Sequence, residues 1–321
     1  TAWAPNLSHA LISAGGSVAD AMARVVEAAG RLPGPAIELR PVGVVWVLAA
    51  YAAVVLVIHY RRLWLGRLWA SAATACLIGA TVFTQLPGRA PATAELHVLS
   101  VGAGNCIVLA APSGRTMVLD AGSLGYDDCG RDVLLPFICH EALAMPSAAA
   151  ISHANTDHFS GIAALVSRGG AGEVYLNDYF GRVGDKAAGP EVMDLMARLQ
   201  RRGSAVRRVA PGEVITIDER TAVEVVWPPA GRDFKDVNDR SLVLRVRCDD
   251  RTVLLPGDIS DEAQSALTAT PDRIRADVLV LPHHGNWRAS LPGFVAAVNP
   301  KVIVVSCREH PAATLAGGQA A

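Results

Sequence analysis

The hydrophobic pattern of the chain changes character twice. Residues 42–58 (VGVVWVLAAYAAVVLVI) contain no charge, and residues 68–86 contain none either, although serine, threonine and glutamine dilute them. Each stretch is long enough for a helix to cross the apolar part of a bilayer, which takes about 20 residues and tolerates about 17. The link between them is short and basic, with Arg61, Arg62 and Arg67, and Trp64 and Trp69 stand at its margins. Aromatic and basic residues in that position suit a membrane interface, so residues 42–86 are expected to form a transmembrane helical hairpin. Two buried helices of a soluble core are the other reading, disfavoured because such helices carry charge on one face. Upstream, residues 17–30 place Val18, Met22, Val25 and Val26 on one face, with Ser17 as cap and Gly30 as stop. That is an amphipathic helix within a 1–41 segment that ends in a linker.

After the breaker at 87–91 (PGRAP) the spacing becomes that of an α/β domain. Short apolar runs at 95–101, 106–110, 116–120 and 148–151 predict strands, as do those at 173–176, 214–217, 223–226, 241–246, 252–255 and 278–281. Helical spacing follows Gly161 and returns over 191–202, where Val192, Leu195, Met196 and Leu199 share a face and Gly203 is the stop. Arg198, Arg201, Arg202, Arg207 and Arg208 near that helix end form either a phosphate-contacting track or a solvated helix terminus. The globular domain spans 95–310, and 311–321 is a low-complexity tail.

Composition adds limits. The 321 residues are 51% hydrophobic and 18% charged, so the apolar content is concentrated in part of the chain. A net charge of −1 gives no global attraction to nucleic acid, and any such contact needs a local patch. The six cysteines include no CxxC pair, which argues against a zinc knuckle or a thioredoxin-like site. Three arginines in the link, against Arg40 and Arg89 outside it, place the link in the cytoplasm and the chain beyond residue 90 outside it.

The chemistry concentrates in 152–161, S-H-A-N-T-D-H-F-S-G, where His153, Asn155, Asp157 and His158 lie on a strand-to-helix turn. Imidazole and carboxylate together suit zinc, manganese or iron. Other strand ends carry residues of the same kind: Asp120, Asp258, and the pair His283 and His284. Packed α/β layers bring strand ends to one edge, so these residues can converge on one site. A polar turn at Asn238 and Asp239 is a further candidate.

H-A-N-T-D-H resembles the H-x-H-x-D-H motif of metallo-β-lactamase-fold hydrolases. The order L-S-V-G-A-G-N, L-D-A-G, S-H-A-N-T-D-H-F-S-G, N-D-R-S-L-V-L, L-P-G-D-I and L-P-H-H-G-N is similar to the extracytoplasmic domain of the ComEC family of DNA-uptake proteins, over residues 95 to about 306. The resemblance implies an α/β fold, a metallo-β-lactamase-like αββα sandwich preceded by the transmembrane hairpin, in a multi-pass inner-membrane protein with its globular domain outside the cytoplasm. It implies one or two divalent ions, zinc or manganese, and hydrolysis of DNA phosphodiesters during uptake. Carried over by position, Asp157 and His158 with His283 or His284 hold one ion, Asp258 bridges, and His153 with Asn155 serves the other. Asp157, His153 and Asp258 are then the catalytic set, with Asp120, Asn238 and Asp239 behind them. DNA, the membrane, and a further copy or other competence proteins are the expected partners. The sequence departs from the family pattern at Asn155, where His or Asp is usual, and at Ala103 and Asn105, where V-G-Q-G-D is usual. Two other readings are a hydrolase of a small ester, lactone or thioester on the same fold, and a non-catalytic DNA-handling module with a degenerate metal site.

Overall fold

The computed structural model describes residues 24, 44–49, 51–52, 68–69, 71–76, 79–80, 90–181, 189–286 and 290–307. The chain divides into the units Thr1–Glu38 and Leu39–Ala321. Of the first, only Arg24 is described, helical and exposed, so the amphipathic helix expected at 17–30 lies outside the described residues, as does the tail at 311–321. The described positions between 44 and 80 are helical, and the rest of the expected hairpin lies outside the description. Among the described residues no helix is long and apolar enough to cross a membrane.

From residue 95 onward the chain builds two six-stranded sheets. The first holds β1 (Glu95–Val98), β2 (Cys106–Ala110), β3 (Thr116–Ala121), β4 (Ala148–Ala150), β5 (Glu173–Leu176) and β6 (Ala205–Arg208), in that spatial order. Its first three strands are antiparallel and the rest parallel. The second runs β12-β11-β10-β9-β8-β7, from β7 (Val214–Thr216), β8 (Thr221–Trp227), β9 (Val243–Cys248), β10 (Arg251–Leu255), β11 (Val278–Val280) and β12 (Val302–Val304). Its last three strands in sequence are parallel.

The helices of this region include a helical stretch Gly130–Leu134 that continues as α1 (Leu135–His140), then α2 (Thr156–Phe159), α3 (Ile162–Ser167), α4 (Pro190–Arg202), α5 (Asp261–Thr268), α6 (Pro271–Ile274) and α7 (Pro292–Val298). Strand alternation decides the layering. Val108 and Val118 pack with Leu135, Ile162, Leu165, Leu195 and Leu199 of the first helical layer. Their neighbours Ile107, Leu109, Met117 and Leu119 point the other way, against Val223, Val225, Leu244 and Val246 of the second sheet. The opposite face of that sheet, with Val226, Val243, Leu254 and Leu279, packs on Leu267, Ile274, Phe294 and Val298. Three apolar interfaces between four layers make the αββα sandwich expected from sequence.

The expected strands agree with observed ones to within a few residues, and the short edge strands β6 and β12 were not expected. Arg207 and Arg208, read as a helix end or a phosphate track, lie on the exposed β6 edge instead. Arg207 pairs with Glu173 at 2.6 Å, and Arg208 donates to the Asn177 carbonyl. The short helices α1, α5, α6 and α7 were also not expected, none being longer than eight residues.

Gly293 sits exposed in the first turn of α7, and nothing lies within 4 Å of the place its Cβ would occupy. Gly293→Ala removes unfolded-state freedom without a clash and is expected to stabilise the domain by about 0.5 kcal/mol. Calorimetry should show a Tm rise of about 1–2 °C.

Candidate metal centre

The site begins with an irregularity in β3. Leu119 pairs with Ile107 and Ala121 with Cys106, so Asp120 is the extra residue of a bulge, with φ 61°. A bulge re-aims its side chain, and here both carboxylate oxygens are engaged. Oδ1 accepts the Ser152 backbone N–H at 2.6 Å, and Oδ2 lies 2.9 Å from His158 Nδ1. Asp120 therefore orients the turn after β4 and also fixes the ring of His158.

That turn leads into α2, in which Asp157 and His158 occupy the first turn. The backbone around them is held by neighbouring loops: Asn105 N donates to Asp157 O at 3.0 Å, and Gly161 N donates to Ala121 O at 2.8 Å. From the second sheet, Asp258 follows β10 and donates its N–H to Ser241 Oγ at 3.3 Å. After β11 the backbone turns through His283 and His284, with φ of 56° and 54°. Two consecutive left-handed residues other than glycine are costly, and they place one imidazole at the site.

Asp157, His158, Asp258 and His284 converge, with one ligand-type atom from each lying within 4.8 Å of all the others. His284 Nε2 is 3.1 Å from Asp157 Oδ2 and 3.2 Å from Asp258 Oδ2, and His158 Nε2 is 3.2 Å from the same Asp258 oxygen. The last approach is close but misaligned, because buried His158 Nε2 and Asp258 Oδ1 have no hydrogen-bond partner. Two carboxylates and two imidazoles aimed at one point, with buried donor atoms unsatisfied, fit a divalent ion of the zinc or manganese type.

The electrostatics agree with that donor set. Burial opposes protonation of His284, but its bonds to Asp157 and Asp258 outweigh this and hold its pKa up at about 9. Burial likewise opposes a charge on His158, and the Asp258 and Asp120 carboxylates raise it well above the usual histidine range. Desolvation works against ionised Asp157 and Asp258, yet the imidazoles hold both below the usual carboxylate range. A divalent cation would neutralise both carboxylates and leave the imidazoles neutral.

The other sequence candidates are placed differently. His153 is buried at 1% exposure, and burial followed by the charge of His158 pushes its pKa down to about 3. Its Nδ1 is 3.1 Å from Ser152 Oγ. Asn155 Nδ2 donates to Asn238 Oδ1 at 3.2 Å, so these two amides engage each other. His283 stays outside the convergent group, and His284 alone of the pair joins it. Asp239, expected behind the ligands, accepts through Oδ1 from Ser260 N at 2.8 Å and Ala263 N at 3.1 Å, at the start of α5.

Two residues were overlooked in the sequence. Ser152 Oγ contacts Nδ1 of both His153 and His158 at 3.1 Å. Asn177 donates to the carbonyls of Ser152 and Arg240, at 2.9 and 2.6 Å, tying the two sheets together beside the site. Asn177 follows an apolar strand, the same signal that marked the other four positions.

Asp120→Asn tests the orienting role. The amide no longer offers an anionic acceptor to His158 Nδ1–H, and loss of such a partner costs about 10–100-fold in ion affinity. Calorimetric titration with zinc or manganese should show that loss, and an unchanged affinity would contradict the role.

A family model described as "Metallo-beta-lactamase superfamily" matches residues 99–310. The chain is similar to "ComE operon protein 3" of Bacillus subtilis (strain 168), 23% identical over 229 residues that cover 67% of this chain and 28% of that protein. It is also similar to "Uncharacterized protein YcaI" of Escherichia coli (strain K12), 24% identical over 254 residues, covering 78% of this chain and 30% of that one. The chain thus spans less than a third of the length of either relative. Among solved structures, Igni18, described as a novel metallo hydrolase from Ignicoccus hospitalis KIN4/I, aligns over 70% of this chain and 90% of its own, with a TM-score of 0.45 and 14% identity.

Proposed function

Because the chain belongs to the metallo-beta-lactamase superfamily, we propose that its domain is a metal-dependent hydrolase of DNA phosphodiesters, in a membrane protein that takes part in DNA uptake. The observation that carries the reading is the convergence of Asp157, His158, Asp258 and His284 within 4.8 Å. The six motifs in ComEC-like order and the similarity to ComE operon protein 3 support the substrate class and the setting. In this reading the uncharged stretches 42–58 and 68–86 anchor the chain, and the domain lies outside the cytoplasm.

Asp157, His158, Asp258 and His284 would hold a divalent ion, which would supply Lewis-acid polarisation and lower the pKa of a water toward neutrality. The chain's own residues prepare that position. Asp120 keeps His158 Nδ1 protonated and its Nε2 turned to the centre, while Asp258 and Asp157 supply the negative charge that retains a cation. The enclosing layers leave Asp258 and His158 dry, where their electrostatic effect is strongest.

The experiment is a phosphodiesterase assay of the chain on single-stranded DNA and bis(p-nitrophenyl) phosphate, with manganese or zinc, beside a generic carboxylic ester. Wild type should cleave the phosphodiesters, and Asp157→Ala should lose about 100-fold or more of that rate, as removing one electrostatic group commonly does. Equal rates for the two proteins would sink the proposal.

A further inference from the structure

Two of the six cysteines lie together in the core beneath the first helical layer. Cys106 opens β2 and Cys129 precedes the helical stretch Gly130–Leu134, and both are 0% exposed within one apolar cluster. The backbone brings them there. Ala121 of β3 pairs with Cys106, and its carbonyl accepts the Gly161 N–H at 2.8 Å. A Cβ at Gly130, next to Cys129, would lie 2.2 Å from the Gly161 carbonyl oxygen. Gly161 thus touches both the strand partner of Cys106 and the neighbour of Cys129. A hydrogen bond joins the two thiols, raising the Cys106 thiol well above its usual range and lowering that of Cys129.

A buried cysteine commonly serves as a small apolar side chain. Here sulfur faces sulfur, so rotation of two side chains, with a small adjustment of the backbone, closes the remaining gap to a covalent bond. Cys139 offers no such partner to Cys129. It lies near the far end of the same helical run, more than about 10 Å along the axis, beyond the ~7 Å between Cα atoms that a disulfide spans. A route in is also present. Residues 124–127, just before Cys129, are exposed, so opening of that loop uncovers the thiol better suited to attack as thiolate.

We infer that Cys106 and Cys129 form a stabilising disulfide that ties β2 to the Gly130–Leu134 stretch behind α2, made by exchange with an oxidising disulfide, that of a dithiol oxidoreductase or of glutathione. The Cys129 thiolate attacks the oxidant's disulfide, giving a mixed disulfide and releasing one thiolate. The Cys106 sulfur, its proton passed to solvent, then attacks the Cys129 sulfur and releases the second. One S–S bond is made and one broken, and two electrons leave with the oxidant as its dithiol. The closed loop, residues 107–128, contains all of β3 with the Asp120 bulge, and Asn105 beside Cys106 donates to the Asp157 carbonyl at 3.0 Å. Formation in the cell rests on the reading above that the domain lies outside the cytoplasm, where disulfides persist. The pairing of the two sulfurs does not.

The test uses the full chain in two arms. In the first, cells making the protein are quenched in acid, and the chain is alkylated under denaturing conditions and mapped by mass spectrometry. The peptides of Cys106 and Cys129 should appear linked until a reductant is added. In the second, purified chain is reduced, unfolded in urea and returned to native conditions with reduced and oxidised glutathione, where the same linked peptide should form. Alkylated Cys106 and Cys129 in both arms overturns the inference, as does either sulfur linked instead to Cys76, Cys139, Cys248 or Cys307. A link in glutathione with alkylated thiols from the cell leaves the pairing standing and counts against the domain's place outside the cytoplasm. Calorimetry on wild type needs no variant to fold: the linked chain should melt about 5–10 °C above the chain refolded with reductant, and Cys129→Ala should show no such difference. Equal melting temperatures for linked and reduced wild type overturn the inference, and so does a difference that persists in Cys129→Ala.

Discussion

Asp258→Ala is expected to release the ion and to abolish ion-dependent stabilisation and activity together. Asp258 is 3% exposed, and it is the carboxylate that approaches both imidazoles of the centre, at 3.2 Å from His158 Nε2 and 3.2 Å from His284 Nε2. Its removal takes away half of the negative charge opposing a divalent cation and also the acceptor between two buried rings. Losing one partner of a buried charged cluster costs about 3–5 kcal/mol when the remaining charge stays, so the ion-free variant relaxes by giving up the proton on His158. Wild type with ion at 100 times its Kd gains about 2.7 kcal/mol of stability, read as a higher Tm on adding manganese or zinc. In Asp258→Ala that rise should vanish, and the hydrolytic rate should fall about 1000-fold or to background, the scale expected for losing the electrostatic centre itself. A variant that keeps its ion at wild-type affinity would show that another donor completes the site. His153→Ala, by contrast, should keep the rise.

The difference between those two variants marks what the sequence could and could not reveal. Apolar runs ending in Asp120, His153, Asp258 and His283 were legible because a strand buried on both faces reads as a continuous hydrophobic run, and a polar residue at its end stands out. Which of these residues converge was not legible. His284 rather than His283 reaches the centre because the backbone adopts a left-handed turn there, a property of the tertiary contact and not of the P-H-H-G string. Asp120 points at His158 because a bulge inserts it between paired residues, and a bulge depends on the register of two strands. Asp239 was expected behind the ligands because it is an acid in a polar turn, and the placement of α5 shows its Oδ1 accepting from two backbone N–H groups. Ser152 was invisible for a related reason: one hydroxyl between two imidazoles becomes informative only when both ring nitrogens are located. The family resemblance reached the residue types, and the chain's own turns and hydrogen bonds decide which of them converge.

Gly122→Ala should damage the centre without touching any of its donors. A Cβ at Gly122 would lie 2.3 Å from the Asp157 carbonyl carbon and 2.4 Å from His158 N, both of them backbone atoms of the ligand-bearing helix. Neither can swing aside as a side chain would. The loop on the other side is equally close, since a Cβ at Gly104 would meet Gly122 O at 2.3 Å, and Gly122 N donates to Asn105 O at 2.8 Å. The added methyl therefore has to push α2 by about 1 Å to reach ordinary contact. Overpacking of this kind costs about 1–3 kcal/mol, a fall in Tm of about 3–10 °C for a domain of this size. A shift of about 1 Å at a reacting centre is enough to lose about 100-fold in rate, and Asp157 and His158 move together because they share that helix. Gly172→Ala is the matched control: its nearest neighbour would be Ser147 O at 3.5 Å, its φ is not left-handed, and it lies on the surface. Calorimetry and ion titration on the two variants should separate them, with Gly122→Ala losing stability and ion affinity together and Gly172→Ala keeping both. If Gly122→Ala retained wild-type ion affinity, the close approach of β3 to α2 would not be what positions the ligands, and the hydrogen bonds from Asp120 would have to do so alone.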